Sequence, residues 1–158
     1  MTRGLYKTFL ADMQREGKPK IDLPDRRERQ IGAAVPVAGA NIAFRSDELL
    51  GVEVLSPTNQ ALGSVDDLVL GSQNGKIAYL VIGTGGILGF DESHVPVPWD
   101  DFRVTPNGDL LVLDTTKSAL DGAPRVKDDT FSAGGDVDTE NQRVDAYWKA
   151  HQPPKASN

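Results

Sequence analysis

One stretch, Leu49 to Leu113, constrains this chain more than any other. It is apolar, broken by glycine, and reads as five or six short β-strands joined by tight turns. Val52, Val54 and Leu55 begin the first strand, and Pro57-Thr58-Asn59 turns the chain. A second strand runs from about Leu62 to Leu70. Its alternation falters at Asp66-Asp67, where a β-bulge would reset which face each side chain takes. Gln73-Asn74-Gly75 predicts a hairpin, because Asn-Gly tolerates the positive φ of a type I′ turn. From Lys76 to Gly83, Ile77, Tyr79 and Val81 alternate with Ala78, Leu80 and Ile82. Apolar residues on both faces predict a strand covered on both sides.

A glycine-rich loop, Gly83 to Gly89, follows. Val95, Val97 and Trp99 then alternate with Pro96 and Pro98. Proline cannot donate to a β-ladder, so this segment belongs at a sheet edge or a barrel corner. Phe102 and Val104 continue the pattern, Pro106-Asn107-Gly108 turns the chain, and Leu110 to Leu113 returns as a strand. Turns recurring about every 8–12 residues predict an all-β unit, a small barrel or sandwich.

The flanks read differently. Residues 2–16 form an amphipathic helical pattern, with Leu5, Phe9, Leu10 and Met13 on one face and Gly17-Lys18-Pro19 ending it. Docking against the domain or a second copy is the simpler use of such a stripe; peripheral membrane contact is the sharper one. Residues 18–45 read as an irregular arm with a solvated charge run from Asp25 to Arg29. Ser46-Asp47-Glu48 predicts a serine-capped helical turn stopped by Gly51, and Ser118 to Ala123 a second turn closed by Pro124. The polar, glycine-rich stretch Asp128 to Asp138 precedes a last helix over Thr139 to His151, where Thr139 and Gln142 have capping-box spacing. The organisation is therefore an arm over 1–45, a β-domain over 46–127, and a linker, short helix and tail over 128–158.

Composition narrows the chemistry. There are no cysteines among the 158 residues, which excludes disulfides, thiol nucleophiles and cysteine metal sites. The net charge is −6, unevenly spread. Residues 1–30 carry eight Lys/Arg and five Asp/Glu; residues 31–158 carry nine and eighteen. An acidic body repels polyphosphate and argues against nucleic acid as a partner. No stretch reaches the roughly 20 apolar residues of a membrane span, and Thr2 to Arg15 lacks a signal-peptide core. A cytoplasmic protein is expected if Met1 is the true start.

Catalytic signatures are scarce. Gly83-Thr84-Gly85-Gly86-Ile87-Leu88-Gly89 fails as a phosphate loop, because the last glycine of G-x-G-x-x-G falls on Leu88 and no helix follows. His94 lies near Asp91 and Glu92, but His151 is remote and zinc wants three or four ligands, so no metal site is expected. The doublets Asp66-Asp67, Asp91-Glu92 and Asp100-Asp101 suggest acid-base chemistry only if two carboxylates face one cavity. Neighbours on a regular strand face opposite ways, so no doublet alone makes a dyad. No G-x-S-x-G elbow is present. The expectation is a non-enzymatic chain without a cofactor. Tyr147 and Trp148 on the last helix, with Phe9 and Met13 on the first, are the candidate contact residues for a protein partner, since aromatic anchors dominate interfaces.

Five segments in order resemble the PRC-barrel family. They are Leu49 to Val54, Leu62 to Leu70, Ala78 to Gly83, Gly85 to Gly89, and Val95-Pro96-Val97-Pro98-Trp99-Asp100-Asp101-Phe102. The resemblance covers about residues 46–115 and implies a small, strongly bent antiparallel β-barrel that binds or assembles. Ala123-Pro124-Arg125-Val126 and Val144-Asp145-Ala146-Tyr147-Trp148 resemble the soluble domain of the photosynthetic reaction-centre H subunit, without its membrane helix. The ribosome maturation factor RimM is the alternative relative, and its additional N-terminal barrel has no counterpart here. The H-subunit resemblance implies a protein partner, a membrane complex included, at the cytoplasmic membrane face, with self-association as a further expectation. It also implies an acidic surface or proton relay, for which Asp66, Asp67, Asp100 and Asp101 are the candidates.

Overall fold

A computed structural model describes residues 25–85, 93–127, 130–131 and 137–151. The amphipathic stripe with Phe9 and Met13, most of the glycine loop, and the Asp91-Glu92 doublet lie outside the described residues. Seven strands form one sheet: β1 (Val35–Pro36), β2 (Glu53–Leu55), β3 (Ala61–Leu70), β4 (Ile77–Thr84), β5 (Ser93–Pro98), β6 (Phe102–Val104) and β7 (Leu110–Leu113). Their order across the sheet is β1-β6-β7-β2-β3-β4-β5. Among the described residues, four helices accompany them: α1 (Arg26–Gly32), α2 (Ser46–Leu49), α3 (Lys117–Asp121) and α4 (Val137–His151).

The β5-to-β6 connection decides the shape. It is one 3-10 turn, Trp99–Asp101, yet β5 and β6 stand five strand spacings apart. In a flat sheet that is about 24 Å. The chain from Pro98 to Phe102 spans at most about 15 Å. The sheet must therefore curl until the two strands approach. The end strands β1 and β5 are not paired with each other, so hydrogen bonds do not close the sheet as a barrel. Beside the crossing, Phe44 packs edge-on against Trp99 with ring centroids 5.6 Å apart.

The sheet departs from the wholly antiparallel expectation at one place, because β2 and β7 run parallel. The chain crosses from β5 to β6 without reversing its sense along the sheet. β7, antiparallel to β6, then arrives beside β2 in the same direction.

The inner face is aliphatic. Val54, Leu80, Ile82, Val95, Val97, Phe102 and Val104 are each fully buried in one cluster. Residues Tyr79 to Thr84 of β4 are buried on both faces, as the continuous apolar run predicts. Two helices cover the outer face. α1 sets Ile31 on Leu55 and Val112, and α4 buries Val144 and Trp148.

Local structure corrects several sequence readings. The charge run Asp25 to Arg29 is largely exposed, as expected of a solvated run, but it is not irregular: it caps and begins α1. Asp25 caps it, accepting the Glu28 N–H at 2.7 Å, and Arg27 pairs with Glu53. Ser46 is the first residue of α2 rather than its cap; Arg45 occupies that position without a side-chain bond. The β3–β4 hairpin is not a two-residue type I′ turn. Gly71 and Lys76 close a four-residue loop in which Gly75 takes a positive φ and Asn74 does not. α4 begins at Val137, so Thr139 lies within its first turn rather than capping it.

β3 passes very close to β4 at Gly63. A Cβ there would lie 2.3 Å from the Gly83 carbonyl oxygen. Gly63→Ala must push the strands apart, and a loss of about 1–3 kcal/mol is expected. Urea unfolding of the variant against the parent chain measures it.

Candidate functional site

The bulge anticipated on β3 is present. The register to β4 slips between Val65 and Asp67, leaving Asp66 as the extra residue. Bulging breaks the strict alternation of faces. Asp66 and Asp67 consequently line one pocket together, contrary to the expectation that neighbours on this strand diverge. His94 on β5 reaches across β4 to the same place, its Nε2 3.0 Å from Asp66 Oδ2. A ring carrying its proton on Nε2 donates to that carboxylate. Both side chains are about one-third exposed, so the pair contributes no more than about 1 kcal/mol. Asp67 Oδ1 accepts its neighbour's N–H, from Leu68, at 2.8 Å.

The pocket is small, about 180 Å³. Val69, Val81, Val126, Lys127 and Phe131 complete its lining. Sequence reading connected His94 to Asp91 and Glu92 rather than to Asp66, and passed over Lys127 and Phe131. The only signal for Phe131 was one aromatic inside a polar, glycine-rich stretch. It stacks on Tyr79 at 5.6 Å between centroids. Asp100 and Asp101 sit on the 3-10 turn after β5 and do not line this pocket. The structure thus gathers Asp66-Asp67 with a histidine and leaves Asp100-Asp101 apart. Among the described residues, no three His, Asp or Glu side chains are grouped to hold a metal ion.

β5 and α4 form the wall beside the pocket. The outward carbonyls of β5 receive single donors from the C-terminal segment. Val126 N–H donates to His94 O at 2.9 Å, and Trp148 Nε1–H donates to Pro96 O at 2.8 Å. Trp148 is 1% exposed. Tyr147 is half-buried, donates its hydroxyl to Ala119 O, and stacks on His151. Both candidate contact residues of the last helix thus fasten α4 to the domain. Tyr79 adds a third tie, donating its hydroxyl to Asp145 Oδ1 at 2.9 Å. Burial first, then the Asp145 hydrogen bond and charge, push this phenol well above its ordinary value of 10.0.

Residues 41–120 match the PRC-barrel domain family, and the chain belongs to it. No curated protein sequence matches the chain. Among solved structures, a candidate 16S ribosomal RNA processing protein, RimM, from Pseudomonas aeruginosa is similar over 53% of this chain and 50% of its own length. The identity is 17% and the TM-score 0.34. The chain therefore spans about half the length of that protein. No helix among the described residues is long and apolar enough to cross a membrane.

Two expectations follow. Trp148→Phe leaves the Pro96 carbonyl without its donor in a buried setting, at a cost of about 1–3 kcal/mol; chemical denaturation and loss of amide protection in α4 report it. Tyr79 makes the fold sensitive to alkali. Below pH 10 both folded and unfolded chains keep its proton, so it adds no slope. Above about pH 10 only the folded chain keeps it, and stability falls as pH rises. Tyr79→Phe removes that part of the slope in urea midpoints compared at pH 8 and pH 11.

Proposed function

We propose that this PRC-barrel chain is a binding and assembly module rather than an enzyme. Its use would resemble that of the soluble domain of the reaction-centre H subunit, with a protein partner at the cytoplasmic face of a membrane complex. The observation that carries this reading is the placement of polar chemistry. The buried polar side chains among the described residues are the hydroxyls of Ser56, Thr84 and Thr105. The ionisable groups Asp66, Asp67, His94 and Lys127 meet on the outer surface instead. Half-solvated charges of this kind govern encounter rate and partner choice more than raw affinity.

In this reading, Asp66 and His94 form a pair through which a proton can pass, with Asp67 beside it. Asp100 and Asp101 are a separate acidic contact. Phe9 and Met13 supply apolar contacts at the other end of the chain, while Tyr147 and Trp148 act by holding the C-terminal helix in place. No cofactor takes part, and self-association would present two such surfaces to one complex.

The test is recovery of partners from native cells, with membranes and ribosomes fractionated separately. The parent chain should be retained with a membrane complex. Asp66→Asn combined with Asp67→Asn and His94→Gln should abolish retention without lowering Tm by more than about 4 °C, since the pair contributes at most about 1 kcal/mol. Recovery with ribosomal particles and not with membranes would replace this reading by the RimM-like one.

A further inference from the structure

α1 sits on the outer face of the sheet, where β2 and β7 run parallel. Ile31 rests on Leu55 and Val112, which lie opposite each other in that ladder. Glu53 precedes Leu55 by two residues on β2, so it takes the same face about 6.6 Å along the strand. Arg27 precedes Ile31 by four residues on α1, about 6 Å along the helix and on the same side. The two spacings match. Arg27 meets Glu53 while Ile31 meets Leu55 and Val112. The seat therefore recognises a helix at two points: a cation, then a large aliphatic side chain one turn later.

α1 is a weak occupant of that seat. It has seven residues, about half the length at which a helix persists alone. Ile31 is its one buried residue, and Arg26, Glu28 and Arg29 are exposed. The Arg27–Glu53 pair is about two-fifths exposed on both sides, where water screens most of its attraction. Leu55 and Val112 are by contrast fully buried. Their cluster is completed by Ala34 and Leu110 and is separate from the main interior. Lifting α1 bares an apolar strip bordered by one carboxylate and leaves that interior closed.

We propose that α1 is a displaceable plug, and that its seat docks an amphipathic helix of a partner protein. That helix is longer than α1 and carries Arg or Lys four positions before Ile or Leu. It repeats both contacts and adds the helical turns that α1 lacks. Because α1 is tethered beside the seat, it competes at high effective concentration and sets the affinity a partner must exceed. Glu53, Leu55 and Val112 do not line the acidic pocket, so this site does not depend on the reading given to that one.

The probe is an alanine-rich helical peptide of about 16 residues, with one Arg four positions before one Ile, added to the full-length chain. The amides of Glu53, Leu55 and Val112 should shift, and Ile31 should lose its helical shift in step with them. A peptide with Ala in place of that Ile should leave all four unmoved. Ile31→Ala in the chain should raise the affinity at least about tenfold, because it weakens the competitor. Glu53→Arg should turn the preference toward a peptide with Glu in place of its Arg. With no peptide present, the Arg29 and Ala33 amides, both bonded along α1, should exchange at least about 100-fold faster than those of Leu80 and Ile82 in β4. Equal protection of α1 and β4 would overturn the proposal, and that comparison decides it even where a variant fails to fold. So would a seat indifferent to the peptide, or one that shifts while Ile31 stays helical. Loss of the Ile31 helical shift on concentrating the chain alone would give the seat to a second copy's α1 and overturn it too.

Discussion

A three-residue crossing governs this molecule. Trp99–Asp101 must join strands that a flat sheet would hold too far apart, so curvature is imposed by the connection. Several features follow from that curl. The inner face becomes a closed aliphatic interior. The sense of the chain is kept across the turn, which sets β7 parallel to β2. The crossing itself is held by an edge-on contact between Trp99, its first residue, and Phe44. Close approach on the inside of the bend also explains why Gly63 faces the β4 backbone with no room for a Cβ.

The outer face is finished by helices with different chemistry. α1 uses one buried isoleucine and one ion pair. α4 uses aromatic side chains that both fill space and donate to backbone carbonyls. Between β3, β5 and the segment leading to α4, the surface is left partly open. The Asp66 bulge turns two consecutive carboxylates toward that opening, where β5 supplies the imidazole. The acidic pocket is thus a product of sheet irregularity, and a regular strand would have hidden one of the two acids.

How far the sequence carries depends on the range of the interaction. The bulge was legible because alternation broke at Asp66-Asp67. The edge position of β5 was legible because Pro96 and Pro98 lack donors. Two-sided burial of β4 showed in its unbroken apolar run. α1 was missed although Asp25 and Glu28 have capping spacing, since its dense charge masked a single apolar anchor, Ile31. β1 was beyond reach: two residues acquire their strand geometry only from β6. The hairpin was visible and its turn type was not, because the register of Leu70 with Ile77 fixes the loop length. His94 and Asp66 lie on strands separated by β4, and nothing local announces a pair made through three-strand register.

The proline spacing of β5 has a wider consequence. Its outward side offers oxygen atoms at His94 and Pro96 but no amide hydrogen at positions 96 and 98. Another polypeptide lying alongside could not complete the reciprocal bonding that fibrils require. Isolated donors such as an indole or one amide are accepted; an indefinite stack of copies is refused. Were α4 to leave it, this sheet margin would stand exposed without seeding polymerisation.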